Sequence, residues 1–189
     1  EYIKSFGSYG AAIKNCKVQP MFSSRPPENW KTVDFSAKKI LIDSREQLPL
    51  SFKNSEKLKL DTGDYAVSGS DFDYTFVDRK SFQDFCGTMV GDNYERFRRE
   101  ILRCQKQDSY LWVVVEADIK DASKLNSRSA HKNNLKFVFH QMTTLMHEFP
   151  KNLQFVWSGG REQSEDLIPR LLCLGKKLWN VDVQFWIEK

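Results

Sequence analysis

The chain has 189 residues, of which 40% are hydrophobic and 13% are aromatic. This composition is typical of a globular domain with a sizeable core and excludes an intrinsically disordered chain. No stretch approaches the roughly 18 uninterrupted apolar residues that cross a bilayer, so we expect no membrane span. The net charge of +4 permits a polyanionic partner without requiring one.

The first 37 residues carry no recognisable motif. We predict that residues 1–37 form an N-terminal arm or linker ahead of a domain that spans residues 38–189. The arm mixes aromatic with basic residues until Pro26 and Pro27 break any regular structure. Such a mixture suits either the tracking of a nucleic-acid strand or the packing of Trp30 and Phe35 on the domain, and the packing interpretation is favoured.

Four cysteines are scattered along the chain without a C-x-x-C pair, which argues against a zinc cluster. We expect Cys86, Cys104 and Cys173 to be reduced and partly buried, as in an intracellular protein. The expected location is the nucleus for a eukaryotic chain and the cytoplasm or nucleoid for a prokaryotic or phage chain.

The first predicted strand is Ile40–Asp43, which is apolar on both faces and therefore central in a sheet. Arg45 and Glu46 follow it where the chain opens into a loop. These two side chains could form an ordinary surface ion pair. Their position directly after a buried strand that ends in an acid favours a functional role instead.

A sharp turn is predicted at Gly63-Asp64, because glycine is free to adopt positive φ, and this turn carries a carboxylate. Residues 69–71 predict a hairpin connection. The next strand, Tyr74–Lys80, alternates in character. The side chains that share one of its faces are those of Tyr74, Phe76, Asp78 and Lys80.

Burial of the aromatic residues on that face would draw Asp78 and Lys80 inwards, where a charge needs a partner or a metal ion. Together with Asp64, they form a set typical of divalent-metal sites that hydrolyse phosphodiesters. The carboxylates would hold Mg²⁺ or Mn²⁺, and the lysine would orient the attacking water or stabilise charge on phosphorus. The D-x-K spacing alone is a weak signal because it occurs by chance in most chains.

Two helices are predicted after this strand. Ser81 is a good N-cap residue for the first, and Asp84 falls in its first turn, where a carboxylate also favours the helix dipole. A break at residues 91–93 precedes the second helix, predicted over Tyr94–Arg103.

The second of these helices carries a basic face. The arginines at i, i+3 and i+7 are Arg96, Arg99 and Arg103. This face is either a solvated surface with internal ion pairs or a contact for substrate phosphates. The phosphate interpretation is slightly favoured.

The second half of the chain alternates strands with helices, an order that predicts parallel pairing. Strands are predicted at Tyr110–Glu116 and Leu153–Trp157, with a polar loop over Lys120–Asn134. A helix is predicted over Leu135–Phe149. A second helix, kinked or begun late at Pro169, is predicted around Leu167, Leu171, Leu174 and Leu178. Alternating apolar residues from Val181 to Ile187 predict a short final strand.

Three motifs in order, IDSRE at residues 42–46, GDY at 63–65 and VDRKSFQD at 77–84, resemble the nuclease domain of the XPF family of structure-specific endonucleases. The family pattern is GDxnERKxxxD, preceded by a strand that ends in D-x-R-E. The residues at family positions are Asp43, Arg45, Glu46, Gly63, Asp64, Arg79, Lys80 and Asp84. Asp78 stands where the family usually has Glu. The resemblance covers roughly residues 38–177.

The resemblance implies an α/β fold of the restriction-endonuclease type, with a central mixed β-sheet flanked by α-helices. It also implies metal-dependent cleavage of branched, forked or flapped DNA in repair or recombination. The implied metal ligands are Asp43, Asp64 and Asp78, with Lys80, Arg79 and Glu46 as further catalytic residues. The residues expected to support the site or to contact DNA are Arg45, Asp84, Arg96, Arg99 and Arg103.

Two other functions stay open at this point. One is a non-catalytic DNA-binding or scaffold subunit, although such members of the XPF family typically lose the acids that this chain keeps. The other is a restriction-like nuclease of a phage or mobile element.

Family nuclease domains commonly pair through their C-terminal part, which implies a homodimer or heterodimer through the C-terminal helices. We accordingly expect Leu171, Leu174 and Leu178 to leave an apolar surface patch.

Overall fold

The centre of the fold is a six-stranded mixed β-sheet. The structure, a computed structural model, describes Asn15, residues 22–23 and residues 25–187. The strands are β1 (Ile40–Asp43), β2 (Ser55–Leu58), β3 (Tyr65–Val67), β4 (Thr75–Lys80), β5 (Tyr110–Val115) and β6 (Leu153–Trp157). Their order across the sheet is β2-β1-β3-β4-β5-β6.

The helices are α1 (Phe82–Thr88), α2 (Gly91–Lys106), α3 (Ala122–Arg128), α4 (Leu135–Glu148), α5 (Arg161–Leu174) and α6 (Val183–Ile187). None of the described helices is long and apolar enough to span a bilayer. The helices cover both faces of the sheet, as expected for strands β4, β5 and β6, which are parallel to one another.

Strand direction follows from the connections between the strands. β4, β5 and β6 are mutually parallel, as the alternation of strands and helices predicts. The hairpin predicted at residues 69–71 is confirmed, because β3 and β4 are antiparallel. β1 lies between β2 and β3 and is therefore not an edge strand, also as predicted.

Two apolar clusters lie on opposite faces of the sheet, and β5 contributes to both because its side chains alternate. Leu111, Val113 and Val115 belong to the cluster that contains residues of α1, α2 and α4. Tyr110, Trp112 and Val114 belong to the cluster that contains residues of α5. All six residues of β5 are buried, so this strand is the core of the domain.

Two predictions of local structure are wrong. Lys120–Asn134 is not a continuous loop, because it contains helix α3, whose Ala122 and Leu125 pack on the core. Residues 181–187 do not form a strand, since Val183–Ile187 is helix α6. The Asp182 side chain accepts a hydrogen bond from the backbone N–H of Phe185, which favours a helical turn over extension.

Two further details differ from the predictions. Tyr74 lies outside β4 with φ of 66° and is exposed, so its ring is not on the buried face. Helix α5 begins at Arg161 and contains Pro169 in its interior, so it does not begin late.

The predicted apolar dimer patch is wrong as described. Leu171 and Leu178 are fully buried and Leu174 is nearly so, all within a single chain. They cover the sheet, so these three side chains do not form an exposed patch. A dimer through other parts of the C-terminal helices stays an untested prediction.

Most of the predicted N-terminal arm lies outside the described residues. Of the part that is described, Trp30 and Val33 pack against the core cluster on the α5 side. The guanidinium of Arg170 lies over the Phe35 ring, 5.4 Å from its centroid. This part of the arm therefore packs on the domain.

Candidate active site

All of the predicted site residues except Arg99 meet in a cleft of about 790 Å³ at one end of the strands of the sheet. The carboxyl ends of β1, β4 and β5 lie at this end, and the antiparallel β3 brings its amino end to it. Eight acidic residues line the cleft: Asp43, Glu46, Asp61, Asp64, Asp78, Asp84, Glu100 and Glu116. Six basic residues line it as well: Arg45, Arg79, Lys80, Arg96, Arg103 and Arg161.

The turn at Gly63-Asp64 requires its glycine. Gly63 has φ of 65°, and a Cβ atom there would lie 2.8 Å from the carbonyl oxygen of Val77. The Asp64 backbone N–H donates to that same carbonyl at 2.7 Å, and the Asp64 carbonyl accepts from the N–H of Asp43 at 2.8 Å. Asp64 is thus fixed between β1 and β4.

The carboxylates of Asp64 and Asp78 repel each other electrostatically. Burial raises the pKa of Asp64 to about 8, and the negative charge of Asp78 contributes to this rise. The backbone N–H of Arg79 donates to Asp64 Oδ2 at 2.8 Å and offsets only part of this effect. Burial and the charge of Asp78 therefore favour the protonated form of Asp64 relative to a solvent-exposed aspartate.

Lys80 is that neighbouring cation. Its Nζ lies 2.9 Å from Asp78 Oδ2 and 5.3 Å from the ring centroid of Phe97. Burial favours the neutral amine, but the charges of Asp78 and of the other nearby acids together outweigh burial, and the pKa of Lys80 is raised. Lys80 is therefore an ammonium group that can orient water or stabilise negative charge, and it is a poor general base.

Arg79 ties three separate segments together. Its guanidinium donates to Glu116 at 2.7 Å, to Glu46 at 3.0 Å and to the carbonyl of Leu48 at 2.9 Å. All three charged side chains are nearly buried, with 9%, 10% and 12% exposure for Arg79, Glu46 and Glu116. Arg79 thus connects β4 to the loop after β1 through Glu46 and to the end of β5 through Glu116.

Asp43 is held by the arginine two residues later. Its Oδ1 accepts from the backbone N–H and Nε of Arg45, and its Oδ2 accepts from Nη2 of Arg45 and the N–H of Leu60. These bonds lower the pKa of Asp43 to about 2, with the Arg45 side chain as the main cause. Each oxygen of the carboxylate thus already accepts two hydrogen bonds. A metal ion could bind Asp43 only by displacing one of these donors.

Asp84 lies at the start of α1. The Ser81 hydroxyl donates to Asp84 Oδ2 at 2.7 Å and accepts from the Asp84 N–H at 3.1 Å. This reciprocal pair caps the helix. Asp84 lines the cleft, but its hydrogen bonds are those of a capping residue.

The basic face of α2 reaches the cleft in part. Arg96 and Arg103 line it, whereas Arg99 is exposed and is not among the lining residues. The structure therefore brings together two of the three predicted arginines.

Three acids in the cleft were missed by the sequence analysis: Asp61, Glu100 and Glu116. Glu100 accepts a hydrogen bond from the Gly63 N–H at 3.1 Å, and its pKa is raised by burial and by the charge of Asp78. It follows Arg96 by four residues, so the helical period that groups the arginines also marks this acid. Glu116 follows the last residue of β5, and the parallel register with β4 places it beside Lys80.

The donor set suits a hard divalent cation. Asp64 and Asp78 supply carboxylate oxygens. Burial and the charge of Asp78 raise the pKa of Asp64, and a bound cation would favour its ionised form. Among the described residues, no group of three or more His, Cys, Asp or Glu is arranged to hold a metal ion. Mg²⁺ commonly uses one or two carboxylates and completes its shell with water and substrate phosphate, so this pair fits it.

The titration of Asp64 gives a testable pH dependence of stability. Since the folded state binds this proton more tightly than the unfolded chain, stability conferred by the neutral acid is lost as pH rises through about 8. We expect Asp64→Asn to raise Tm relative to the unsubstituted protein at pH 8 in EDTA, with a smaller gain at pH 5. Thermal melts at the two pH values measure the difference.

A matched variant, Asp43→Asn, should change Tm at pH 8 in the opposite direction. Asp43 has a lowered pKa, so its charge stabilises the fold above its ordinary pKa of about 3.8, and this contribution is lost as pH falls towards 2. Asp43→Asn should therefore lower Tm at pH 8. Equal shifts for both variants at pH 8 would contradict the assigned electrostatics.

Comparison with known proteins decides the family. A family model described as the ERCC4 domain matches residues 42–171, which is well over half of the chain. The chain belongs to the ERCC4 domain family. This confirms the predicted family relation, and membership supports a DNA nuclease. No curated protein sequence matches the chain.

Solved structures resemble this ERCC4 domain in fold. XPF from Aeropyrum pernix is 18% identical, with 78% of this chain and 69% of that chain covered and a TM-score of 0.53. XPF from Aeropyrum pernix in complex with DNA is 17% identical, with 79% and 70% covered and a TM-score of 0.54. At this identity the likeness shows the fold alone. The predicted α/β fold, a mixed sheet flanked by helices, is confirmed.

Proposed function

We propose that this domain is a metal-dependent endodeoxyribonuclease that hydrolyses phosphodiester bonds at forked, flapped or otherwise branched DNA. The convergence of Asp64, Asp78 and Lys80 in one cleft carries the proposal. The ERCC4 family relation supports it, as does the solved complex of the Aeropyrum pernix relative with DNA.

Asp64 and Asp78 would hold Mg²⁺ or Mn²⁺. Such an ion, when bound, polarises the phosphate and lowers the pKa of a coordinated water. The protein holds these two carboxylates in a rigid geometry, because the backbone of Asp64 is bonded to β1 and β4. A site organised before substrate arrives does not spend binding energy on reorganisation.

Lys80 supplies the positive charge that the chain itself brings to the reaction. Its ammonium group is held by Asp78 and by the Phe97 ring, so its position is defined. There it would orient the attacking water or stabilise negative charge on the phosphate oxygens. On the other side of β4, the ion pair of Arg79 with Glu46 keeps the strand end in place.

Arg96 and Arg103 are proposed to contact the DNA backbone. Both lie on α2 and line the cleft, about one turn on either side of Glu100. Arginines along one helix face suit a row of phosphates better than base edges, which fits recognition of DNA shape.

The experiment that tests this function uses labelled fork, flap and linear duplex DNA, each with Mg²⁺, Mn²⁺ or EDTA. We expect cleavage in either metal, none in EDTA, and faster cutting of the fork and flap than of the duplex. Binding of DNA without cleavage in any metal would instead support a non-catalytic subunit.

The two cleft arginines predict the salt dependence of binding. Arg96→Ala and Arg103→Ala should each lower the slope of log affinity against log salt by about one unit, because each removes one phosphate contact. Arg99→Ala should have a smaller effect, since Arg99 lies outside the cleft. The measurement is a salt titration of binding to a fork in Ca²⁺.

Arg128, an exposed arginine on α3, provides the control. Arg128→Ala should leave the slope unchanged. A slope that responds to Arg99 as strongly as to Arg96 and Arg103 would place the DNA path outside the cleft.

A further inference from the structure

One large apolar side chain projects into solvent at the rim of the cleft. Leu48 is 71% exposed, the highest value for a large hydrophobic residue in the part of the chain that the structure describes. It lines the same cleft as Asp64, Asp78 and Lys80. Many other leucines of the chain are buried in the core, whereas Leu48 is exposed.

The backbone that presents Leu48 is tightly held. Its N–H donates to Glu46 Oε1 at 2.9 Å, and its carbonyl accepts from Arg79 at 2.9 Å and from two nitrogens of Arg161 at 3.2 Å. Arg161 also donates to the carbonyl of Pro49. Two guanidinium groups and one carboxylate therefore anchor the backbone of Leu48 and Pro49.

This anchoring distinguishes Leu48 from an ordinary surface leucine. An exposed leucine on a loose loop can fold back onto the nearest apolar surface. Here the backbone bonds and the restricted φ of Pro49 fix the segment, and the side chain stays in water. Its anchor, Arg79, also lies between Asp78 and Lys80 in β4, so the position of Leu48 is coupled to the site.

The surroundings indicate what Leu48 meets. Arg45 and Arg161 line the same cleft as Leu48 and offer positive charge to a polyanion, beside the acids that we propose hold the metal ion. In a continuous duplex the base faces are stacked and closed to a side chain. At a fork or flap, the last base pair exposes an apolar face, and apolar residues that enter such steps unstack the bases.

We propose that Leu48 is a specificity-determining wedge that packs against the exposed base-pair face at a DNA branch point. This inference rests on the proposed function and names the feature of the substrate that the cleft recognises. The wedge discriminates branched DNA from continuous duplex, while the carboxylates and Lys80 act on the phosphate of either.

The test compares three variants in Ca²⁺ with a fork and a matched linear duplex that carry 2-aminopurine at the junction position. Leu48→Ala removes the side chain, and Leu48→Gln keeps its length but not its apolar character. Phe137→Ala is the control, since Phe137 on α4 is 45% exposed and does not line the cleft. Thermal melts establish that each variant is folded.

We expect the unsubstituted protein to prefer the fork and to increase 2-aminopurine fluorescence there. Leu48→Ala and Leu48→Gln should lose about tenfold in fork affinity with duplex affinity unchanged, and should lose the fluorescence increase. Phe137→Ala should behave as the unsubstituted protein.

The outcomes separate the two proposals. A fork preference and a fluorescence increase that survive Leu48→Ala overturn the wedge and leave the rim to a protein contact, while the nuclease assignment stands. An unsubstituted protein that binds fork and duplex equally also overturns the wedge. If the unsubstituted protein neither binds nor cuts any of the DNA substrates, the proposed nuclease function is wrong.

Discussion

Replacing Asp64 by asparagine or Lys80 by methionine is expected to reduce DNA cleavage about 100- to 1,000-fold, because each substitution removes a group that we propose binds the metal ion or the reacting phosphate. Both substitutions keep the approximate shape of the side chain, and in Lys80→Met the thioether would retain packing on Phe97. The measurement is single-turnover cleavage of a labelled fork in Mg²⁺ and in Mn²⁺.

Two controls separate this effect from general loss of charge. Asp121 and Lys124 form an exposed ion pair outside the cleft, so Asp121→Ala and Lys124→Ala should cut at the unsubstituted rate. Fork binding in Ca²⁺ shows whether the site variants still engage DNA. Cleavage near the unsubstituted rate by both Asp64→Asn and Lys80→Met would remove this cleft as the active site.

Replacing Arg79 by alanine is expected to destabilise the fold by about 3–5 kcal/mol, since it strands two nearly buried carboxylates without their cation. Among the ion pairs of the described residues, Glu46 and Glu116 pair with no other basic side chain. The free energy of unfolding from urea titration at pH 7 measures the loss.

The matched control is Lys39→Ala. Lys39 pairs with Glu56 at 2.9 Å, but both side chains are about half exposed, so the cost should be below about 1 kcal/mol. A second variant checks the cause. Adding Glu116→Gln to Arg79→Ala should recover part of the stability by removing one stranded charge. If the double variant is as unstable as Arg79→Ala, the loss arises from packing and not from charge.

Much of the site could be predicted because its residues lie in short motifs with regular geometry. Asp78 and Lys80 share a face of one strand, and the glycine before Asp64 marks the turn that brings the second carboxylate. Glu116 and Glu100 were missed because their proximity depends on the register of β5 and on the packing of α2, which are tertiary features.

The wrong predictions of local structure have a similar physical cause. Helix α3 has only Ala122 and Leu125 on its apolar side, too few residues for a helical period to be visible. Residues 181–187 alternate in polarity as a strand would. However, the Gln184 side chain, and not a further strand, bonds to the backbone of β6 there. The backbone N–H of Trp157 donates to Gln184 Oε1 at 2.7 Å, a contact that local periodicity does not reveal.

The position of the hairpin between β3 and β4 determines where the domain can tolerate inserted residues. Its connecting residues 68–74 lie at the opposite end of the strands from the cleft. Phe72 and Asp73 are held by contacts with the rest of the domain, but Gly69 and Ser70 are exposed, so extra residues between these two would lengthen a surface loop at small entropic cost. Within β4 itself, a single residue inserted before Asp78 would exchange the two faces, so that Asp78 and Lys80 would turn to the side that Arg79 now occupies. The number of residues between Gly63 and Asp78 can therefore vary, whereas the spacing of residues 78–80 cannot.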